Sequence, residues 1–401
     1  MLTTKQCMEL EAQYGAKNYK PIPVVINKAE GAWVWDPEGN KYLDCLSAYS
    51  AVNHGHLHPR ILKAVEDQLH TLTLTSRAFY NDRLGRFLKR LCEVSGFDMA
   101  LPMNTGAEAV ETGIKIARRY SYATKDIPDN QAEIITAHQN FHGRTTTIVS
   151  FSNDDNATQG YGPYTPGFKH VPFNDTEALE KAINKNTIAF LVEPIQGEAG
   201  VIIPDEGYLR KVREICDQHN ILLMLDEIQT GFGRTGKTFC FEHEGIRPDI
   251  LLVGKALSGG VIPVSAALTS KKIMDVITPG SHGSTFGGNP LACAAGEEAL
   301  NVLLDEKLSD KSLELGAYFL KGIQAIDAPI FKEVRGKGLF IAIELKDEAG
   351  GARQYTELMK EKGILAKETH VHTIRLAPPL VVKKEEIDWA LAILKDIFTN
   401  H

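Results

Sequence analysis

Between about residues 105 and 290, short apolar runs alternate with amphipathic stretches, and this alternation limits the fold more than any other feature of the chain. The runs are EIITAH, TTIVSF, IAFLVE, ILLMLD, DILLVG and VSAAL, and GYLRKVREICDQHN is typical of the stretches between them. Short runs of this kind suit strands buried on both faces, and helical periodicity in the connecting segments suits helices that cover them. The expected fold class is α/β, with a large domain built on a mostly parallel sheet covered by helices. Such sheets bind ligands at the carboxyl ends of their strands. Chemistry is therefore expected just after each run.

The flanks read differently. Residues 1–30 suggest a helical arm and an irregular crossing. AWVWDPEGNKYLD then suggests a hairpin that turns through Asp36, Pro37, Glu38, Gly39 and Asn40. After residue 290 come two long amphipathic helices over 291–326, then EVRGKGLFIAIEL, a helix near 353–362, HTIRLAPPL and a closing helix from about 384. This reads as a smaller α+β domain from the C-terminal part, joined by the N-terminal arm. The expected division is 1–44 (arm and hairpin, part of the small domain), 45–290 (large domain) and 291–401 (small domain).

Several classes are disfavoured. The net charge is -7 and no long run of one sign occurs, which argues against nucleic-acid binding. The six cysteines are scattered, without metal-pair or CxxC spacing, as expected of reduced thiols in a reducing compartment. The segment MLTTKQCMELEAQYG carries Glu9 and Glu11 and no apolar core, unlike a signal or transit peptide. No window approaches 18 uninterrupted apolar residues, so no membrane span is expected and the cytoplasm is the expected location.

The densest stretch is ILLMLDEIQTGFGRTGKTFCFEHEGIRPDILLVGKALSGG, and it holds a false lead. GFGRTGKT, residues 231–238, satisfies the P-loop pattern in full, and its first six residues satisfy GxGxxG. A P-loop must open directly into a helix whose amides hold phosphate. Here TFCFEHEGIRPD follows, broken by Gly245 and Pro248, and the preceding apolar run already ends at Asp226. Asp226 and Lys255 are more informative, because each ends an apolar run where an unpaired charge would be costly to bury. One reading is a structural ion pair. The other is a pyridoxal-phosphate site, in which a lysine amine condenses with the aldehyde and an aspartate keeps the pyridine nitrogen protonated. A phosphate cradle would fit Asn104-Thr105-Gly106-Ala107-Glu108-Ala109, where small residues open an amphipathic helix, although an ordinary helix cap has the same pattern.

Across nearly its whole length the chain resembles the fold-type I, class-III aminotransferases. It is most similar to the branch holding the ornithine, acetylornithine and 4-aminobutyrate enzymes. The similarity is carried, in order, by GHLHP, NTGAEAVETGIKIAR, NFHGRT, EPIQGEAGV, LDEIQTGFGRTG, PDILLVGKALSGG, HGSTFGGNPLA and RGKGL. The resemblance implies pyridoxal 5'-phosphate as cofactor, with Lys255 bonded to it and Asp226 facing its ring nitrogen. It implies phosphate contacts from Thr105, Gly106 and Ala107, and from Thr285 of a neighbouring subunit, hence a homodimer or a higher homo-oligomer. Phe141 and Ile228 would flank the ring, although both also suit ordinary core, and Gln229 would bond its phenolic oxygen. LSAYSAVNHGH with Tyr49, RAFYND with Tyr80 and TIRLAPPL with Arg375 are most similar to the members acting on L-ornithine. The implied reaction moves the δ-amino group of L-ornithine to 2-oxoglutarate, with acetylornithine or 4-aminobutyrate as alternative donors. Tyr49 and Arg144 would hold the ornithine α-carboxylate, and Glu198 would pair with Arg375. His54, His56 and His58 alternate as metal ligands can, but in the resembling family they occupy a loop before a helix, and no metal is expected.

Overall fold

The computed structural model describes residues 2–400. Its fifteen strands are β1 (Lys28–Glu30), β2 (Trp33–Trp35), β3 (Lys41–Asp44), β4 (Met99–Met103), β5 (Glu133–Ala137), β6 (Phe168–Val171), β7 (Thr187–Val192), β8 (Leu222–Asp226), β9 (Ile250–Val253), β10 (Ser265–Thr269), β11 (Phe331–Lys337), β12 (Phe340–Leu345), β13 (Ile364–Leu365), β14 (Lys367–Thr369) and β15 (Thr373–Leu376). The main sheet has the order β4-β10-β9-β8-β7-β5-β6. Only β10 runs against the others, because it pairs antiparallel with both β4 and β9. Every residue of β7, β8 and β9 is buried. Each fully buried Leu or Ile contributes roughly 1.5–3 kcal/mol, which gives the strand ends a rigid base on which charged groups can be held.

The apolar runs correspond to strands, with one exception. TTIVSF forms the short helix Thr146–Val149, started by Thr145, whose hydroxyl accepts from the Ile148 amide. Ile148 and Val149 are buried all the same, so an apolar run reported burial correctly without reporting periodicity. The strand β6 (FKHV) is too short and too polar to stand out in the sequence.

Two four-stranded sheets, β1-β2-β3-β13 and β11-β12-β15-β14, hold the remaining strands. β3 pairs in parallel with β13, Leu43 beside Ile364, so the two ends of the chain share a sheet. β15 is an inner strand that carries Arg375. The helices Pro290–Asp305 and Leu308–Gln324 follow the main sheet in sequence. Among the described residues no helix is long and apolar enough to cross a membrane.

One segment departs from regular geometry. Ser47, Ala48, Tyr49 and Ser50 have φ of +50°, +47°, +60° and +70°, a left-handed turn made without glycine. Each such residue costs about 1–2 kcal/mol, so the surroundings must impose it. Asp44 Oδ1 accepts from the amides of Leu46 and Ser47, both at 2.9 Å. Ser47 Oγ donates to the Ala377 carbonyl at 2.7 Å. The turn thus ties the end of β3 to the segment just after β15.

Candidate active site

The ends of β4, β5, β7, β8 and β9 meet at one cavity of about 200 Å³. They bring together residues scattered over 150 positions of sequence, from Gly106 to Lys255. Asp226 closes β8 and is buried. Its Oδ2 lies 2.7 Å from His142 Nδ1, and its Oδ1 accepts from the Ile228 amide at 3.0 Å. Burial alone would lower the His142 pKa, but the hydrogen bond and charge of Asp226, with Glu193 nearby, more than offset it and leave the imidazole raised. Glu193 accepts from the Phe141 and Gly197 amides at 3.0 and 3.3 Å, and burial pushes its carboxyl up to about 7.

Lys255 follows β9 and lines both this cavity and an adjoining one with Asn104, Thr105 and Gly106. Its backbone is left-handed, with φ of +43°, an unfavourable state for a lysine that marks imposed geometry. Desolvation lowers its pKa, assisted by Arg375 and opposed by the Glu198, Asp226 and Glu193 carboxylates. The net shift favours the neutral amine, the form able to attack a carbonyl.

Opposite the lysine, Gly106 opens the long helix Gly106–Thr124. Thr105 caps this helix through a reciprocal pair with Glu108. The amides of Gly106 and Ala107 lie in the first turn, which has no internal acceptors and carries the positive end of the helix dipole. A Cβ at Gly106 would come within 3.1 Å of Ile228, so glycine keeps the wall flat. Phe141, partly exposed, and Ile228 also line the cavity.

The cavity continues toward a second, larger space of about 580 Å³ that Glu198 and Arg144 line. Arg375 is almost fully buried, and its Nη1 donates to Glu198 Oε1 at 2.6 Å and to the Gly197 carbonyl at 3.3 Å. Its guanidinium carbon lies 5.3 Å from the Tyr49 ring centre. Burial would raise the Glu198 pKa, but the charges of Arg375 and Lys255 and the bonds from Arg375 and Gln229 leave it lowered. Gln229 Nε2 donates to Glu198 Oε1 and to the Tyr49 carbonyl, both at 3.3 Å. A Cβ at Gly197 would lie 1.7 Å from Gln229 Oε1, so only glycine admits this approach.

Not every expected residue joins this group. Arg144 is exposed and stacks over Phe141 at 5.7 Å, while the ring of Tyr49 is taken by Arg375. Tyr80 is fully exposed, and Thr285 lies on an exposed loop beside Phe286. The three alternating histidines turn to three different partners: His54 to the Ala299 carbonyl, His56 to Asp44 and His58 to Glu306. The P-loop-like segment leads only to the short 3-10 turn Cys240–His243. His142 and Glu193 were not among the expected site residues. Glu193 directly follows β7, the same signal that marked Asp226, whereas His142 stands five residues beyond β5.

The donor set matches pyridoxal phosphate. It offers a helix start for an anion, a buried carboxylate for a protonated ring nitrogen, an amine of lowered basicity for an aldehyde, and Phe141 and Ile228 as walls. Residues 14–398 match the family described as aminotransferase class-III. The chain belongs to the class-III aminotransferases. Members of this family use pyridoxal 5'-phosphate, and that is the cofactor of this aminotransferase. An ornithine aminotransferase of Brevibacillus brevis is 57% identical over 397 residues, covering 99% of each chain. A solved ornithine aminotransferase of Toxoplasma gondii, with pyridoxal phosphate at partial occupancy in its active site, superposes with a TM-score of 0.98. It is 45% identical and covers 99% of this chain and 94% of its own. An acetylornithine aminotransferase of Elizabethkingia anophelis is 47% identical with a TM-score of 0.91, and each chain is covered in full. Backbone likeness therefore does not separate the amino donors of class-III aminotransferases, and side-chain chemistry must.

Proposed function

We propose that this aminotransferase moves the δ-amino group of L-ornithine to 2-oxoglutarate. The products are glutamate and glutamate 5-semialdehyde, which cyclises to pyrroline-5-carboxylate. The observation that carries the reading is the 2.6 Å pair between Arg375 and Glu198 beneath Tyr49. An arginine fork is the natural clasp for an α-carboxylate. Left open, it would dock ornithine by its own α-carboxylate and present the wrong amine. Held by Glu198, it leaves the ornithine α-carboxylate to be bound farther out, with Tyr49 and Arg144 as its contacts, so the δ-amine reaches Lys255. For 2-oxoglutarate the pair opens and Arg375 takes the carboxylate. The relatives named for ornithine support this choice. A half-reaction screen with ornithine, acetylornithine and 4-aminobutyrate tests it, and a clear preference for either of the last two overturns it.

Bound in the cavity, pyridoxal phosphate supplies an aldehyde for the donor amine and a ring that accepts electrons. The remaining work falls to the protein. The Gly106 and Ala107 amides hold the phosphate, with Thr105 at the helix cap. Asp226, backed by His142, keeps a proton on the ring nitrogen. Lys255 Nζ would hold the aldehyde when no donor is bound; displaced by the donor amine, its neutral form would carry a proton from and back to the amine-bearing carbon of the donor. Phe141 and Ile228 exclude water from the ring faces, and Gln229 orients the phenolic oxygen.

The gate carries its own expectation. Glu198→Ala frees Arg375 throughout, so the glutamate half-reaction should gain on the ornithine half-reaction by about tenfold or more, the worth of one charge-assisted contact. Some ornithine should also react at its α-amine. Single-turnover absorbance with each donor, with identification of the keto product, measures both. An unchanged ratio with exclusive δ-transfer shows that Glu198 is not the gate.

The active unit is a homodimer or a larger homo-oligomer in the cytoplasm. Supporting this are the bare loops that carry Tyr80 and Thr285, flanked by Phe79 at 72% and Phe286 at 54% exposure. Aromatic rings so exposed suit a surface covered by a second copy. Light scattering at assay concentration should find no active monomer, and active monomers contradict the assignment.

A further inference from the structure

The segment that imitates a P-loop has a use of its own. Arg234, at its centre, is fully buried, yet among the described residues no carboxylate pairs with it. Its two terminal nitrogens bond neutral oxygens from three separate places, and the buried Nε has no hydrogen-bond partner among the described residues. Nη1 donates to the Leu339 carbonyl at 2.8 Å and to the Pro378 carbonyl at 2.7 Å, and Nη2 donates to Asn53 Oδ1 at 2.5 Å. Asn53 in turn donates to the Phe232 carbonyl at 3.0 Å, closing a ring back onto the same loop. Ser312 Oγ donates to the Arg234 carbonyl at 3.0 Å and accepts from the Leu339 amide at 3.1 Å. Gly338 completes the fit, because a Cβ there would lie 2.5 Å from the Thr235 backbone.

Two of the three limbs, and the loop that carries Arg234, lead to parts of the site. Pro378 is three residues beyond Arg375. Asn53 is four residues beyond Tyr49. Arg234 itself is five residues beyond Gln229, on the loop that leaves Asp226. A buried guanidinium with no carboxylate in contact is costly, and burial pushes its pKa down, to about 9, against the charge of Asp44 farther off. A cost of this kind suits a residue whose value lies in geometry, since a planar fork fixes three directions at once and a lysine cannot.

We infer that Arg234 is a positioning residue that sets the distance between the carboxylate-binding end of the site, Arg375 and Tyr49, and its reacting end, Lys255 and Asp226. The inference rests on the reading that Arg375 binds substrate carboxylate, and it does not require ornithine to be the donor.

The test compares substrates that use the clasp with one that cannot. Glutamate and 2-oxoglutarate carry the α-carboxylate, whereas 1,4-diaminobutane offers a primary amine and no carboxylate. In Arg234→Lys, kcat/KM for glutamate and 2-oxoglutarate should fall about 10²-fold, the usual cost of misplacing a reactant by roughly an ångström. The slow half-reaction with 1,4-diaminobutane, and cofactor affinity, should change less than about threefold, because the reacting end keeps its own support. Asn53→Ala breaks the Tyr49 limb, together with its return bond to the Phe232 carbonyl, and keeps the test open if Arg234→Lys folds poorly. It should give the same selective pattern with a loss of about tenfold, as expected for one buried hydrogen bond to a charged donor. Equal losses for all three substrates in the folded variants mean that Arg234 merely stabilises the fold, and no loss for glutamate means that it positions nothing. Either result overturns the inference. If wild type ignores ornithine but the glutamate contrast holds, the proposed donor is wrong and the role of Arg234 stands.

Discussion

Lys255→Ala is expected to abolish transamination, with kcat lower by at least about 10⁴-fold, because the role proposed for this one amine is both to bond the cofactor and to carry the proton. Among the described residues the cavity lining includes no second lysine to take over. Some cofactor should still bind, since the helix start at Gly106 and Ala107, Asp226 and the apolar walls are untouched. Borohydride reduction of wild type followed by peptide mapping should place the label on Lys255. A label on Lys237 would overturn the assignment and return attention to residues 231–238.

Asp226→Asn should keep the fold and lose roughly 10²–10³-fold in kcat/KM, the range seen when one preorganised electrostatic contact is removed from a catalytic site. The substitution is nearly isosteric, so the melting temperature should change little. The charge proposed to sustain a proton on the ring nitrogen is gone, and so is the charge that keeps His142 raised. With Asp226 neutral, burial dominates at His142 and its pKa should fall, which NMR titration of the imidazole can follow. Near-native turnover would show that Asp226 is a structural partner of His142.

Much of this was legible in the sequence because burial and charge conflict there. A lysine and an aspartate at the ends of apolar runs demand an explanation, and the sheet supplies it by collecting strand ends in one place. The same logic reaches His142 and Glu193, which also follow buried strands, but it needs the strand ends to be known to within a residue or two. TTIVSF shows why that fails, since a single helical turn that buries only Ile148 and Val149 is too short to show the periodicity that separates a helix from a strand. Tyr80 and Thr285 mark another boundary, because residues that point away from their own chain cannot be placed by any property of that chain alone. Arg234 was hidden for a different reason. Its neighbours in sequence suggested a phosphate loop, whereas its work is done by carbonyls more than a hundred residues away, and backbone acceptors leave no trace in residue types.

The order of the main sheet also governs when the site can come into being. β4, which leads into the phosphate cradle, lies at the sheet edge and touches the rest of the sheet only through β10, Met103 beside Ser265. Before β10 is made, the Gly106 end of the site is tied to the Lys255 end only by side-chain packing of the helix Gly106–Thr124 on β8 and β9, as where Gly113 meets Met224 and Leu252, and by no strand pairing. Pairings so distant in sequence form slowly, and the closure of β3 on β13 comes later still along the chain. Firm retention of the cofactor is thus expected to report that β4 has found β10, a closure that spans about 160 residues of chain.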